Sequence, residues 1–263
     1  AELERVDSAY RSAYSVQSSL VMHPINVFGS VYQKEKWLPG LAKGSTIGCF
    51  GLTEPNHGSD PGGMETTALK TGEDTWVLNG SKLWITSSPI ADIAIVWAKD
   101  VTCGQIRGFI VDLSLPGVSV PAIAGKFSLR ASITGGITLE DVQVSEKESL
   151  LAKVTGMKGP FSCLNSARLG IAFGVTGAAR ACIETTTQYV LDRHQFGKPI
   201  GGTQLVQKKL ADALTESSLA ELGAYRACQL KDEDRLHSNL VSLVKRNNCG
   251  KALQVARDCR DLL

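Results

Sequence analysis

A loop rich in small and polar residues carries the groups in this sequence best suited to chemistry. It occupies residues 51–60 and reads Gly-Leu-Thr-Glu-Pro-Asn-His-Gly-Ser-Asp. Gly58 permits close approach of the backbone to a ligand, and Pro55 fixes its own φ, which favours an ordered loop. The Ser59 hydroxyl and neighbouring loop amides can together bind a phosphate. The same residue types are typical of an ordinary turn, so composition alone leaves both interpretations open.

Trp84, Ile85 and Thr86 form a second candidate stretch, at the end of a β-branched run. An indole beside a hydroxyl suits a planar ring system, although a strand tryptophan is more commonly a core residue. Together with the loop, this stretch resembles the signature of the acyl-CoA dehydrogenase family, flavoenzymes that desaturate acyl-CoA thioesters. His57 departs from the family pattern, which usually has a small residue there. The resemblance covers the whole chain, which we expect to correspond to the central part of the family's length.

The resemblance implies FAD as the cofactor. Desaturation needs a hydride acceptor, which no side chain provides. The sequence has no Gly-x-Gly-x-x-Gly after a strand and no Gly-x-x-x-x-Gly-Lys, so a nicotinamide or P-loop site is disfavoured. Trp84 would pack beside the flavin ring and Thr86 would reach its edge. The predicted cofactor-binding residues are Phe50, Gly51, Leu52, Thr53, Gly58, Ser59, Trp84, Ile85, Thr86, Arg193, Phe196 and Gln204.

Arg193 begins an Arg-His-Gln-Phe-Gly segment that resembles a turn of the family. There the guanidinium meets the flavin diphosphate of a neighbouring subunit, and a planar fork suits phosphate better than an ammonium does. Gln204 would contact the same flavin. The resemblance therefore implies a homo-oligomer, expected to be a tetramer. A turn that ends a helix and carries a surface arginine is the alternative.

Four further segments resemble the members of the family that act on glutaryl-CoA; they are residues 10–12, 22–25, 125–132 and 244–251. In those members an Arg and a Ser bind the distal carboxylate, with a Glu nearby, and Arg11, Ser12 and Glu4 match them. Glu4 and Arg11 stand seven residues apart, two helical turns on one face. The alternative for Glu4 and Arg11 is an ordinary charge pair exposed on a surface helix. Arg168, a further candidate for binding the acyl-CoA, could instead form an ion pair at the edge of the core. The predicted substrate-binding residues are Glu4, Arg11, Ser12, Ser59, Phe161, Leu164, Asn165 and Arg168.

The implied reaction is α,β-desaturation of glutaryl-CoA and loss of carbon dioxide to give crotonyl-CoA, in amino-acid catabolism. Electrons would pass to electron-transferring flavoprotein. Alternatives are another short-chain acyl-CoA dehydrogenase, an enzyme that desaturates without decarboxylating, or a truncated form that only binds flavin or acyl-CoA or joins an oligomer. The family's base is a Glu in a Tyr-Glu-Gly-Thr motif, which this sequence lacks. We therefore predict no catalytic residue within this sequence and expect the base beyond Leu263. The chain alone is expected to be inactive. Glu54 is expected to hold the flavin loop by hydrogen bonds.

Composition excludes several other classes. The 263 residues are 43% hydrophobic and 21% charged, as in ordinary globular proteins, and the net charge of +2 does not favour nucleic acid or an anionic membrane. The sequence contains no apolar run of about eighteen residues, the length that would predict a membrane span. Seven cysteines without Cys-x-x-Cys and four histidines without ligand spacing argue against a disulfide frame and a metal site. The expected location is the mitochondrial matrix, or the cytoplasm of a bacterium.

The order of elements predicts a multidomain α+β fold, and the resemblance implies that this fold is of the acyl-CoA dehydrogenase type. Residues 1–46 are predicted to end an N-terminal helical domain. Residues 47–155 are predicted to form a middle antiparallel β-barrel or sandwich that binds flavin and acyl-CoA. Residues 156–263 are predicted to form an incomplete C-terminal helical bundle.

Local patterns give more detailed expectations within these segments. Helices are predicted over 33–42 (broken at Pro39-Gly40), 161–190, 203–230 and 239–263. His23-Pro24 is expected to interrupt the early helical region. Asn79-Gly80 is a strong signal for a two-residue hairpin. Short β-branched runs predict strands at residues 47–52, 75–78, 82–86, 93–98, 106–111 and 136–144.

Overall fold

The computed structural model describes all 263 residues, which form two compact units: residues 12–167, and residues 1–11 with 168–263. The early helices are α1 (Glu2–Val6), α2 (Ser8–Ser15), a π-helix (Val16–Met22), α3 (His23–Phe28) and α4 (Val31–Lys43). The strands are β1 (Gly48–Gly51), β2 (Thr67–Lys70), β3 (Thr75–Thr86), β4 (Ile93–Asp100), β5 (Ile106–Asp112), β6 (Val118–Ser119) and β7 (Thr134–Ser145). The remaining elements are α5 (Glu146–Ser149), α6 (Lys158–Asp192), β8 (His194–Gln195), β9 (Lys198–Pro199), α7 (Gln204–Asp232) and α8 (Ser238–Leu262).

The seven-stranded sheet is mixed, not antiparallel throughout as expected. Its order is β1-β4-β2-β3-β7-β6, with β5 also paired to β4. Both β1 and β2 run parallel to β4, the first beside residues 93–96 and the second beside residues 99–100. Both lie on the side of β4 opposite β5, and residues 52–66, here called the β1–β2 loop, separate them. This loop leaves the sheet and returns to it beside the same strand, which fixes both of its ends.

Strand β4 is buried on both faces and organises the core of residues 12–167. Because strand side chains alternate, Ile93, Ile95 and Trp97 join the early helices in one cluster, while Ala94 and Val96 join the apolar face of β3 and β7. The start of α6 packs on the first cluster, where a Cβ on Gly159 would overlap the Trp97 ring. This close approach fixes the start of α6.

Asn79-Gly80 is not a hairpin turn, and that prediction was wrong. Strand β3 continues through both residues, and the register with β7 shifts there. Gly80 has φ +142°, and a Cβ on it would lie 2.7 Å from Cα of Thr66. Asn79 instead exchanges hydrogen bonds of 2.9 and 2.8 Å with Asp141 of β7. Glycine lies here opposite a bulge of β7, where β7 advances three residues while β3 advances two, and it permits a close approach of backbones.

The proline-based helix breaks were also wrong. Met22 and His23 both have helical backbone angles, so the chain passes from the π-helix into α3 without interruption, with Pro24 in the first turn of α3. Helix α4 runs through Pro39-Gly40, is capped by the Ser30 box, and ends at Gly44 with φ +72°. Packing of the helix on the core outweighs the lost hydrogen bond. The three long helices are confirmed as α6, α7 and α8, each end lying within three residues of its predicted position.

Residues 168–263 form a bundle of α6, α7 and α8. Small apolar residues dominate its core, and the buried Asn248 amide donates to the carbonyls of Ala172 at 2.9 Å and Ala220 at 2.8 Å. One side chain on α8 thereby ties together α6 and α7. None of the helices combines the length and apolar character needed to cross a membrane.

Candidate functional site

A buried ion pair fastens the β1–β2 loop to β3. Nζ of Lys82 donates to Oε1 of Glu54 at 2.7 Å and to the Leu52 carbonyl at 3.3 Å. The same carboxylate accepts from the backbone N–H of Glu65 at 2.6 Å and of Thr66 at 3.0 Å. The two charged side chains are 0% and 2% exposed. The prediction that Glu54 holds this loop by hydrogen bonds is confirmed.

Both groups of this pair are charged at neutral pH. Burial alone would raise the pKa of Glu54, but hydrogen bonds from Lys82 and from residues 65 and 66 outweigh it and lower that pKa to about 2. Burial lowers the pKa of Lys82 to about 8, against the opposing effect of Glu54. A carboxylate held so firmly in its ionised form is poorly suited to accept a proton. Glu54 therefore serves as an anchor.

Lys82 was missed in the sequence. Its signal was available, because Trp76, Leu78 and Lys82 share the inward-facing parity of β3. A lysine at an inward strand position requires a buried partner. The acid that could serve was Glu54, the residue already expected to hold the loop.

Trp84 lies in a bulge of β3 next to this pair. The register with β7 shifts between Lys82 and Ile85, and Trp84 has φ +61° with 59% of its surface exposed. A bulky residue at positive φ costs about 1–3 kcal/mol and persists only where its surroundings enforce it. Here the Leu83 N–H donates to the Thr53 carbonyl at 2.9 Å on one side of Trp84, and Ile85 is buried on the other. An indole is thus held open to solvent on a fixed backbone.

The remaining predicted flavin-binding residues of residues 12–167 differ in exposure. Phe50, Gly51 and Leu52 are buried and support the loop from the core side, and Phe50 makes an edge contact with Trp97 at 6.4 Å between ring centroids. Thr53 and Thr86 are half-buried. Polar groups therefore face outward beside Trp84, on a base of packed side chains.

The tip of the loop is open. Gly58 and Ser59 are exposed, and a Cβ on Gly58 would meet no atom within 4 Å. The His57 ring folds back over Gly63, where a Cβ would lie 2.7 Å from its Nδ1, and its Nε2 lies 3.3 Å from Oε1 of Glu65. The imidazole thus leaves Gly58 and Ser59 uncovered, which accommodates the departure at this position.

The start of α6 presents the predicted acyl-CoA segment. Phe161 is 45% exposed, Leu164 packs against the core and Asn165 is half-buried. The Ser162 hydroxyl lies 2.9 Å from Nε2 of His23, which links the segment to α3. Arg168, in the other unit, is half-buried.

Glu4 and Arg11 meet, although not by the helical geometry expected. The chain is extended at Asp7, with φ −161° and ψ 134°, so the two residues lie on separate helices, α1 and α2. Nε of Arg11 nevertheless donates to Oε2 of Glu4 at 2.7 Å. The Glu4 side chain is 4% exposed and that of Arg11 17%, so this is not an exposed surface pair. The terminal nitrogens of Arg11 make no hydrogen bond, which leaves one edge of the guanidinium available; Ser12 follows, half-buried.

The ribbon of β8 and β9 carries the other predicted flavin contacts. Arg193 and Phe196 are exposed, Phe196 almost completely and with φ +53°, and Gln204 is exposed at the start of α7. All three belong to the unit of residues 1–11 and 168–263. Their contact with the flavin of a neighbouring subunit stays a prediction.

Comparison with known proteins decides the family. Models of the acyl-CoA dehydrogenase N-terminal, middle and C-terminal domains match residues 1–45, 49–142 and 155–263. The structure of butyryl-CoA dehydrogenase from Megasphaera elsdenii is 33% identical, with a TM-score of 0.93 over 98% of this chain and 68% of that one. The chain belongs to the acyl-CoA dehydrogenase family. The recognised family and the predicted α+β fold are thereby confirmed.

Relatives within the family differ in substrate. Glutaryl-CoA dehydrogenase from Mycobacterium smegmatis is 47% identical, with a TM-score of 0.95 over 99% of this chain and 66% of that one. A second structure of that enzyme is in complex with FADH2, with 45% identity and the same coverage and TM-score. The mitochondrial short-chain specific acyl-CoA dehydrogenase of Rattus norvegicus is 38% identical over 234 residues, 88% of this chain. The chain spans only 57% of the rat enzyme's length.

Proposed function

We propose that this protein is an FAD-dependent acyl-CoA dehydrogenase that acts on glutaryl-CoA. The observation that carries the substrate assignment is the Arg11 guanidinium, held through Nε by a buried Glu4 and open at its other edge. A terminal carboxylate on the acyl chain would gain charge-assisted, bidentate hydrogen bonds there. A neutral acyl tail would gain nothing from a largely buried cation.

FAD is supported as the cofactor by the relative in complex with FADH2, and the residues present fit it. When bound, FAD supplies the hydride acceptor that side chains lack. The exposed Trp84 indole and the Thr86 hydroxyl would hold the ring system. The Ser59 hydroxyl and the amides at the open loop tip would hold the diphosphate. The Glu54–Lys82 pair positions both groups by joining the loop to β3.

The remaining steps follow from the same assignment. Desaturation of glutaryl-CoA and release of carbon dioxide would give crotonyl-CoA, with electrons passed to electron-transferring flavoprotein. Arg193, Phe196 and Gln204 would complete a flavin site in a neighbouring subunit of a homotetramer, which accounts for their exposure. The mitochondrial matrix, or the cytoplasm of a bacterium, stays the predicted location.

A neutral short-chain acyl-CoA is the second candidate substrate, favoured by the 38% identity to the rat enzyme. A binding measurement distinguishes the two candidate substrates without requiring turnover. Flavin-loaded protein is titrated with glutaryl-CoA and with butyryl-CoA, and binding is followed through flavin absorbance. Tighter binding of glutaryl-CoA is expected for the unaltered protein.

Arg11→Ala tests the residue directly. Loss of about 1.5–3 kcal/mol of charge-assisted hydrogen bonding should raise the Kd of glutaryl-CoA roughly 10- to 100-fold and leave that of butyryl-CoA unchanged. Arg5→Ala is the matched control, since Arg5 pairs with Glu184 on the surface of the same unit. Equal weakening of both ligands by Arg11→Ala would contradict the assignment.

A further inference from the structure

Gly174 of α6 lies directly beneath the Glu4–Arg11 pair. A Cβ on this glycine would overlap Oε2 of Glu4 and lie 3.1 Å from Cδ of Arg11. One turn further along α6, a Cβ on Gly177 would overlap the Ala1 carbonyl. Residues 1–11 therefore meet α6 at two glycines, and the charged pair occupies the space left by the first.

We propose that Gly174 is a specificity-determining residue for a dicarboxylic acyl thioester. The missing side chain leaves the space that Glu4 needs to hold the Arg11 guanidinium with one edge free. The inference rests on the proposed function, because it assumes that the free edge binds the terminal carboxylate of the acyl chain.

An alanine at position 174 would act on the pair rather than on the fold. The atom it would overlap is the far end of a flexible glutamate side chain, which can rotate away while the helix stays in place. The Glu4 carboxylate accepts its hydrogen bond from Arg11, so rotation breaks that bond. A long arginine side chain released from its partner loses its fixed orientation. The guanidinium would then bind a substrate carboxylate only after being ordered again.

Gly177 confines the effect of Gly174→Ala to the Glu4–Arg11 pair. It preserves the close approach of Ala1 to α6 in a Gly174→Ala variant, so α1 retains its position. Alanine also has a higher helix propensity than glycine. Any loss of stability in that variant therefore has to come from the displaced pair.

The binding experiment uses the flavin-loaded full chain carrying Gly174→Ala. The Kd of glutaryl-CoA should rise roughly tenfold, as expected for loss of an oriented charge-assisted contact, while the Kd of butyryl-CoA changes less than about twofold. Gly223→Ala is the matched control, because a Cβ there would meet no atom within 4 Å on the helical α7. Unchanged glutaryl-CoA binding, or equal weakening of both ligands, would overturn the proposal.

Thermal unfolding tests the physical cause independently of ligand. Gly174→Ala should lower the unfolding midpoint of the otherwise unaltered chain. It should not lower it in a Glu4→Ala background, where the overlap with the Glu4 carboxylate is absent and only the flexible Arg11 side chain lies near the new Cβ. The same loss in both backgrounds would overturn the role of Glu4 as the displaced group. If the unaltered protein fails to prefer glutaryl-CoA, the proposed function fails and this inference with it. If the preference exists and survives Gly174→Ala, only this inference fails.

Discussion

Replacing Lys82 by Met is expected to destabilise the protein by about 3 kcal/mol. Methionine fills a similar volume without charge, so the change leaves the Glu54 carboxylate buried without its cation. Breaking a buried pair in this way costs roughly 3–5 kcal/mol. The N–H groups of Glu65 and Thr66 still donate to the carboxylate, which places the cost at the lower end.

The pKa of Glu54 gives a similar magnitude by a different route. Its displacement from the ordinary value of 4.5 to about 2 corresponds to about 3 kcal/mol, at about 1.4 kcal/mol for each pKa unit. This amount measures how strongly the folded structure favours the ionised carboxylate. Lys82 supplies a large part of that preference.

Urea unfolding followed by circular dichroism measures the loss. With a slope of about 1–3 kcal/mol per molar urea, the midpoint should fall by roughly 1 M or more. Lys36→Met is the matched control, since Lys36 pairs with Glu148 at a similar distance of 2.8 Å but with both side chains partly exposed. That change should cost less than about 1 kcal/mol.

A double variant, Glu54→Gln with Lys82→Met, separates the charge from the packing. The glutamine carbonyl can still accept from the loop amides and carries no charge, so the double variant should be more stable than Lys82→Met alone. If Lys82→Met loses no more than Lys36→Met, the pair does not stabilise the fold. If the stability losses of Glu54→Gln and Lys82→Met simply add in the double variant, the unpaired Glu54 charge is not the cause of the loss in Lys82→Met.

Three further outcomes are expected. Because the pKa of Glu54 is lowered in the folded state, its stabilisation is present above pH 4.5 and lost as pH falls towards about 2; urea midpoints across that range should fall less steeply in Glu54→Gln. Gly80→Ala should cost about 3 kcal/mol in the same assay, since the new Cβ would meet the Thr66 backbone at positive φ, whereas Gly104→Ala, in open space, should cost about 1 kcal/mol. Arg193→Ala should lower the flavin content after dialysis, and unchanged content would remove its assigned diphosphate contact.

The spacing of apolar residues along the chain allowed most of the architecture to be predicted. The three long helices and the strands around β4 follow from this spacing, because each element must bury one face or both. Strand β2 was missed, since Ala68, Leu69 and Lys70 have little β-propensity. The strand is held by pairing with β3 along its length and with β4 at its first two residues. Asn79-Gly80 misled because its local chemistry fits a turn and a bulge equally, and only the pairing partners decide between them.

The candidate site was less predictable for a related reason. Its residue types came from the family signature, but the contacts that hold them join separate elements of the fold. Glu54 and Lys82 are buried together, and Glu4 reaches Arg11 across an extended residue that breaks the expected helix. The sequence pattern predicts which face of a single helix or strand is buried, whereas these pairs depend on how two elements are placed against each other.

The bulge in β3 explains how one strand can place Lys82 inside and Trp84 outside. In a regular strand these residues would share a face, because side chains repeat every second residue. From Lys82 to Ile85 the strand advances three residues while β7 advances two, from Ile137 to Gly135. One extra residue in β3 exchanges the two faces, so Ile85 turns inward and Trp84 outward. The core interpretation of Trp84 followed from regular alternation, and the extra residue converts that core position into an exposed one. The positive φ at Trp84 is the local cost of this exchange, and the adjacent Glu54–Lys82 pair fastens the β1–β2 loop to β3 beside the strained residue.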